Sequence, residues 1–420
     1  MDKFVINGGH RLKGRVKIDG SKNAALPIIF GALLIDKGES VIKNVPPLRD
    51  VHTAIRVMEY LGAKVTYDAR RCVMTVKAGG LNQNTAPYEL MRQMRASFLA
   101  LGPILARLGE ARVSLPGGCV LGARPVNFHV AGFRALGAKV SERSGYVVAK
   151  GKPLKGGVIC FDRPSHTGTE NLLYGAVMAK GRTTLVNAAC DPEVVDVANF
   201  LNQAGARIHG AGTPTIVIDP VRRLKPVEYT VSGDRLVAGT YLMAGAITGG
   251  NIKITGCASD TLTVVLHKLQ EMGCRVDQTA KSVTLKAPRR LKPVAVTTFP
   301  YPGFPTDLQA CIMAAGCVAT ETSHVTETVF EDRFSHTMEM RRLGAKIAIS
   351  SNEAVITGVK ELHGAEVMAS DIRAGAGIVL ACLAARGQSE VLRVYHIDRG
   401  YHRLEEKLSS LGADIRRIGA

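Results

Sequence analysis

A chain of 420 residues is longer than one hydrophobic core ordinarily supports, so two domains or more are expected. Its 46% hydrophobic and 21% charged residues suit a globular protein; the longest apolar run, Ala24 to Ile35, contains Pro27 and is too short to span a bilayer. A net charge of +18 asks for anionic partners, but the basic residues are dispersed, tryptophan is absent and aromatics are only 5%, which favours small phosphorylated substrates over nucleic acid.

The opening Met-Asp-Lys-Phe-Val-Ile-Asn-Gly-Gly lacks a long apolar core and does not read as a secretory leader. The nine cysteines are scattered with no CxxC pair, which argues against a disulfide framework and a structural zinc site and fits a reducing cytoplasm. Neither a Walker A loop, a dinucleotide fingerprint after a strand, nor a clustered His/Glu set appears, so no cofactor and no metal are expected.

Along the chain, one short pattern recurs: a large apolar residue or alanine, glycine, a small residue, any residue, then a β-branched residue. Its glycines are Gly62, Gly137, Gly205, Gly273, Gly344 and Gly412, spaced 68 to 75 residues apart. Each follows a helical pattern such as Val51–Tyr60, so the glycine reads as a left-handed helix cap and the β-branched residue as the start of a strand. A second landmark alternates with the first. Lys22, Arg95, Thr167, Arg235, Thr306 and Arg373 open apolar segments (24–34, 98–106, 172–178, 236–247, 308–318 and 376–385) that are hydrophobic nearly all round. Such helices are buried, and the serine, threonine and aspartate before them suit N-caps.

Six copies of one unit of about 70 residues follow, each roughly βαβαβ, in two domains of three. Each domain is expected to wrap its sheets around a bundle of buried helices. If those helices run parallel, their N-termini and the basic residues beside them form an anion site.

The stretch 115–125, Leu-Pro-Gly-Gly-Cys-Val-Leu-Gly-Ala-Arg-Pro, puts Cys119 on a glycine-rich loop close to Arg124. A cysteine near positive charge on an open loop reads as reactive rather than as packing. Cys311, Cys317 and Cys382, within apolar segments, read as core, and His129 and His396 as structural histidines.

The cysteine loop, together with Lys22-Asn23, Met94-Arg95-Ala96-Ser97, Phe304-Pro305-Thr306-Asp307, Thr326 to Glu331, Asp371-Ile372-Arg373 and His396 to Tyr401, resembles the UDP-N-acetylglucosamine 1-carboxyvinyltransferases, a family of enolpyruvyl transferases, over essentially the whole chain. The resemblance implies a two-domain inside-out α/β barrel of six repeats with pseudo-threefold symmetry in each domain. It places residues 1–21 and 232–420 in one domain, which carries Arg373 and Arg399, and 22–231, with the cysteine loop, in the other. It also implies the reaction: transfer of the enolpyruvyl group of phosphoenolpyruvate to the 3'-hydroxyl of UDP-N-acetylglucosamine, a first committed step of peptidoglycan synthesis in the cytoplasm.

The resemblance further implies site roles. Cys119 is similar to the family's proton donor, which also adds to C2 of phosphoenolpyruvate and reacts with the epoxide fosfomycin. Asp307 matches a candidate base at the sugar hydroxyl, although as a lone residue it also reads as a helix cap. Lys22, Asn23, Arg124, Arg373 and Arg399 are the expected phosphoenolpyruvate contacts, because guanidinium forks match carboxylate and phosphate. Arg399 alone reads equally well as an ion pair with Asp398. Asn23, Arg95, Arg124, Pro125, Val126, Asn127, Phe128, Arg163, Ser165, Asp307 and Val329 match positions that hold UDP-N-acetylglucosamine. Asn127 stands where aspartate is frequent, and His166-Thr167-Gly168 replaces a usual Val-Gly-Ala. The glycines of the loop read as a lid that closes over the substrates. The alternatives are a 5-enolpyruvylshikimate-3-phosphate synthase, a non-catalytic paralogue and a basic nucleic-acid-binding repeat protein.

Overall fold

The computed structural model describes residues 2–115 and 126–419. Six surface helices end alike. Arg49–Tyr60, Asn127–Ala135, Pro192–Gln203, Thr263–Glu271, Thr337–Arg342 and Leu404–Ser410 are followed by Gly62, Gly137, Gly205, Gly273, Gly344 and Gly412, with φ between +84° and +102°. In each, two hydrogen bonds close the end. At the first, Gly62 N–H donates to Glu59 O and Ala63 N–H to Met58 O, both at 3.0 Å. This is the Schellman arrangement, and it explains the pattern read from the sequence. Glycine takes the left-handed position, and the small residue after it (Ala63, Ala138, Ala206, Cys274, Ala345, Ala413) tucks into the core. The chain then reverses into a strand, as at Lys64–Asp68 or Asp414–Ile418.

Each repeat holds one strand more than the expected βαβαβ. The strand that opens after the glycine forms a hairpin with a further strand, and that strand inserts beside the first. Val73–Lys77, for example, lies antiparallel between Ser40–Lys43 and Lys64–Asp68. Six four-stranded sheets result, each with one parallel edge pair, and the sheets stay separate rather than joining into closed barrels among the described residues. Hairpin strands this short alternate only two or three apolar residues, a signal that a periodicity reading merges into one strand.

The described residues form two compact units, 2–19 with 233–419 and 20–115 with 126–232. Each has its own core and three of the sheets. The crossings use strands distant in sequence. Lys13–Lys17 pairs parallel with Asn251–Thr255, and Lys3–Asn7 lies between Gln388–Leu392 and Asp414–Ile418. In the other unit, Glu228–Thr230 completes the sheet begun by Ser40–Lys43.

Three helices run through each core: Arg235–Ile247, Gln309–Cys317 and Ile372–Ala384 in one unit, Lys22–Gly31, Leu101–Leu108 and His166–Val177 in the other. Every residue of the Arg235–Ile247 and Gln309–Cys317 helices is buried, as their all-round apolar character requires. Sheets outside and helices inside make the inside-out α/β architecture. The core cysteines Cys311, Cys317 and Cys382 are fully buried, and burial pushes each thiol up to about 12. Among the described residues no helix is long and apolar enough to cross a membrane.

Candidate active site

The helix starts carry the charged groups. Ser21, Ser165, Asp234 and Asp371 cap four of the central helices: Asp371 Oδ1 accepts from Arg373 N–H at 2.8 Å and Ala374 N–H at 3.0 Å, and Asp234 Oδ1 accepts from Leu236 and Val237 at 2.9 and 3.0 Å. With their caps satisfied, the side chains that follow are released for other contacts.

In the 233–419 unit, Arg373 leaves the first turn of its helix and reaches the start of the neighbouring one. Its Nε donates to Asp307 Oδ2 at 3.1 Å. Arg333 holds the other oxygen: Nη2 donates to Asp307 Oδ1 at 2.8 Å and Nη1 to Thr306 Oγ1 at 2.9 Å. Both arginine side chains are 5% exposed, whereas the Asp307 side chain is 27% exposed. Burial works against the Arg373 charge, but Tyr401, Asp307 and Asp234 more than offset it and raise its pKa. Arg373 also lies 5.3 Å from the Tyr401 ring centroid, and Tyr401 bonds Thr240 at 2.9 Å, one turn into the third helix. The first turns of the three helices therefore gather at one end of this unit. The Arg373 Nη1 atom is buried there with no hydrogen-bond partner among the described residues. A buried unpaired guanidinium donor is costly unless an anion completes it.

Asp307 does not cap its helix. Pro305 holds the N-cap position of the Thr306–Leu308 turn, and the carboxylate turns to the two arginines. Val329 is tied to the same place through buried Glu327, whose Oε1 accepts from Val329 N–H and Thr298 Oγ1 at 2.8 Å and whose Oε2 accepts from Thr306 Oγ1 at 2.8 Å. Arg399 lies in the Val394–Arg399 turn, and the neighbouring Asp398 accepts two bonds from Arg417 at 3.0 and 2.5 Å.

In the 20–232 unit, Lys22 begins its helix with Nζ 3.6 Å from Asp50 Oδ2; the two side chains are 12% and 3% exposed. Asn23 follows it, half-buried. Arg95 opens the turn Arg95–Ala100 and lines one small pocket with Phe98, Leu99, Val126, His129 and Thr167. His129 is structural. Its Nδ1 accepts from Asn171 Nδ2 at 3.0 Å, Thr167 Oγ1 lies 3.4 Å from Nε2, and burial, helped by the Arg95 charge, lowers its pKa to about 3. Phe128 packs edge-on against Phe161, with the Arg163 guanidinium 6.0 Å from its centroid. Ser165 Oγ is already occupied as a cap, accepting from Gly168 N–H at 3.2 Å, and Asn127 is exposed at its helix start. Cys119, Arg124 and Pro125 lie outside the described residues.

Sequence reasoning did not single out Arg333 or Asp50, and it gave Glu327 only within the motif Thr326 to Glu331. Arg333 follows Glu331-Asp332 and reads as part of a solvated charge cluster; only its burial marks it out. Nor did it foresee Glu170, wholly buried in the His166–Val177 helix, whose oxygens make no hydrogen bond among the described residues although His166 Nε2 stands 3.3 Å away. Burial raises the Glu170 pKa to about 8, against the pull of His166 and with the push of Glu193 and Asp191. A carboxyl whose folded pKa is raised keeps its native proton at pH values where the unfolded chain has lost it. The contribution of this group to stability is therefore greatest below the unfolded value near 4.5 and is lost as pH rises toward 8. Glu170→Gln is expected to remove that slope and raise stability at pH 8 by a few kcal/mol, on the order set by shifts of this kind. Urea unfolding of both proteins across this range checks it; parallel curves would refute it.

Among the described residues, no group of three or more histidine, cysteine or acidic side chains is placed to hold a metal ion.

The sequence profile of EPSP synthase (3-phosphoshikimate 1-carboxyvinyltransferase) matches residues 6–408. A protein from Geotalea uraniireducens named UDP-N-acetylglucosamine 1-carboxyvinyltransferase is 50% identical over 418 residues and 100% of both chains; one of the same name from Myxococcus xanthus is 50% identical over 99% of each. This chain belongs to the enolpyruvyl (1-carboxyvinyl) transferase family. The transferase also superimposes on the enolpyruvyl transferase NikO of Streptomyces tendae with a TM-score of 0.89 and 27% identity, over 100% of this chain and 99% of that one. An EPSP synthase from Acinetobacter baumannii gives a TM-score of 0.76 at 18% identity over the full length of both, a likeness of fold alone. Within the family, then, the transferase matches the EPSP synthase profile along nearly its whole length, but its identity is far higher to the relatives named UDP-N-acetylglucosamine 1-carboxyvinyltransferase than to the EPSP synthase structure.

Proposed function

We propose that the transferase moves the enolpyruvyl group of phosphoenolpyruvate onto the 3'-hydroxyl of UDP-N-acetylglucosamine and releases phosphate, the step that commits the sugar to peptidoglycan in the cytoplasm. The observation that carries this reading is the half-identity, from end to end, with relatives bearing that name. The buried Arg373 Nη1 donor, without a hydrogen-bond partner among the described residues, supports it, because a multiply charged anion supplies what that atom lacks.

The chemistry asks for three kinds of group. The sugar hydroxyl adds to C2 while C3 gains a proton; a C3 proton then leaves with phosphate. Cys119 is the proposed acid at C3, since a thiol titrates near working pH. Asp307, aimed by Arg333 and Arg373, is the proposed base at the hydroxyl. Lys22, Asn23, Arg124, Arg373 and Arg399 take the phosphoenolpyruvate. Asn23, Arg95, Arg124, Pro125, Val126, Asn127, Phe128, Arg163, Ser165, Asp307 and Val329 take the nucleotide sugar. Fosfomycin is expected to alkylate Cys119.

Phosphate release from phosphoenolpyruvate is the test, with UDP-N-acetylglucosamine or shikimate-3-phosphate as acceptor and with Cys119→Ser beside the wild type. Release that requires the nucleotide sugar and falls sharply in the variant is expected. Release only with shikimate-3-phosphate, or with neither acceptor, would overturn the reading.

A further inference from the structure

The six pseudo-equivalent sheets present their outer faces to solvent with very different charge. Five of them carry an acid paired with a base: Glu390 with Lys3 at 2.6 Å, Asp219 with Arg182 at 2.7 Å, Glu110 with Lys150 at 2.7 Å, Glu353 with His324 at 2.9 Å, and Glu228 with Lys43. The sixth, built from Lys13–Lys17, Asn251–Thr255, Ser282–Lys286 and Arg275–Thr279, does not.

Register decides which of its residues share a face. Lys13 stands opposite Asn251, which stands opposite Lys286, which stands opposite Arg275. The next row is Arg15, Lys253, Thr284 and Asp277, and the third is Lys17, Thr255, Ser282 and Thr279. Val16, Ile252, Ile254, Val283 and Leu285 are buried on the opposite face. Lys13, Arg15, Lys17, Lys253, Arg275 and Lys286 are all exposed and, among the described residues, form no ion pair. Asp277 is the single acid among these outward positions. Six unneutralised cations thus crowd an area of roughly 15 by 15 Å, set by strand and residue spacing. Neighbouring cations in this array lie within about one Debye length of each other, so their mutual repulsion is only partly screened, and Asp277 offsets only part of it.

We propose that this sheet face docks on the surface of an anionic phospholipid bilayer. The cations all point one way from a broad sheet, without a groove to follow a nucleic-acid backbone, and the face offers no aromatic ring for base stacking. Four of the six are lysines, whose flexible stems bring charge to a headgroup layer without a fixed partner geometry. Such a surface attracts basic clusters by a sum of small, salt-screened contributions.

The full-length protein is to be co-sedimented with vesicles of phosphatidylglycerol mixed with phosphatidylcholine, and with phosphatidylcholine alone, from about 0.05 to about 0.5 M salt. Binding only to the anionic vesicles, lost at high salt, is expected. The reversal Lys13→Glu, Arg15→Glu, Lys17→Glu should weaken it roughly tenfold or more, and Lys253→Gln, Arg275→Gln, Lys286→Gln should weaken it as well. Both variants should keep the wild-type melting temperature. A reversal elsewhere, Lys139→Glu with Arg143→Glu, should change binding little. Failure of the wild type to sediment, equal binding by the variants, equal weakening by the control, or tighter binding to duplex DNA or an acidic polypeptide at the same salt would each overturn the proposal.

Discussion

Asp307→Asn is expected to lower turnover about a thousandfold, within the range for loss of a general base, while the protein folds normally. The replacement keeps the shape of the side chain and an oxygen for one guanidinium. It puts an amide in place of the other oxygen, against a donor it cannot satisfy. Arg333 at 2.8 Å and Arg373 at 3.1 Å now hold one oxygen each, so one bond is lost whichever way the amide turns. The site should survive this better than the chemistry. Thr306 remains tied to Glu327, and Arg373 keeps its neighbours Tyr401 and Asp234. The measurement is kcat and KM with both substrates, alongside a melting curve. A kcat within threefold of wild type would remove Asp307 from proton transfer. A fall in melting temperature as large as that of Arg333→Ala would assign Asp307 to structure instead.

The second large effect concerns stability. Gly20→Ala and Gly233→Ala should each destabilise their own unit by about 3 kcal/mol or more, the scale of forced overpacking against backbone. A Cβ on Gly20 would stand 1.8 Å from the Asn44 carbonyl oxygen, and one on Gly233 would stand 1.9 Å from that of Gly256. Neither obstacle is a side chain that swings away. The neighbours are pinned by backbone hydrogen bonds: Ser21 N–H to Ser232 O at 2.8 Å, and Asp234 N–H to Asp19 O at 2.9 Å. Gly157→Ala is the control, because its Cβ would meet nothing nearer than 3.7 Å. Denaturant unfolding compares the three. Midpoints for the Gly20 and Gly233 variants that match the control would defeat the argument.

Both results depend on groups whose importance differs in how visible it is along the chain. The helix-ending glycines repeat, and a repeated left-handed cap has one cheap solution, so the six-unit plan was legible. The central helices were legible for a similar reason, being apolar on every side. Asp307 and Arg373 were legible through their motifs and through their phase in the repeat. Their mutual contact was not, since 66 residues separate them. Arg333 and Asp50 carry no local mark, since charged residues beside other charges look solvated until the fold buries them, and the motif that holds Glu327 does not show that its side chain ties Thr298, Thr306 and Val329 together.

Local physical chemistry in the sequence determined the helix ends, the caps, the buried helices and the count of repeats, because each depends on contacts within a few residues. Tertiary structure alone decided the rest. It set the strand register, which gathers Lys13, Lys253, Lys286 and Arg275 onto one face although more than two hundred residues separate the first from the others. It also set the pairing of Arg333 and Arg373 on Asp307 and the complete burial of Glu170. These depend on which distant segments pack together, and burial changes the energy of a charge by far more than any neighbour in sequence can.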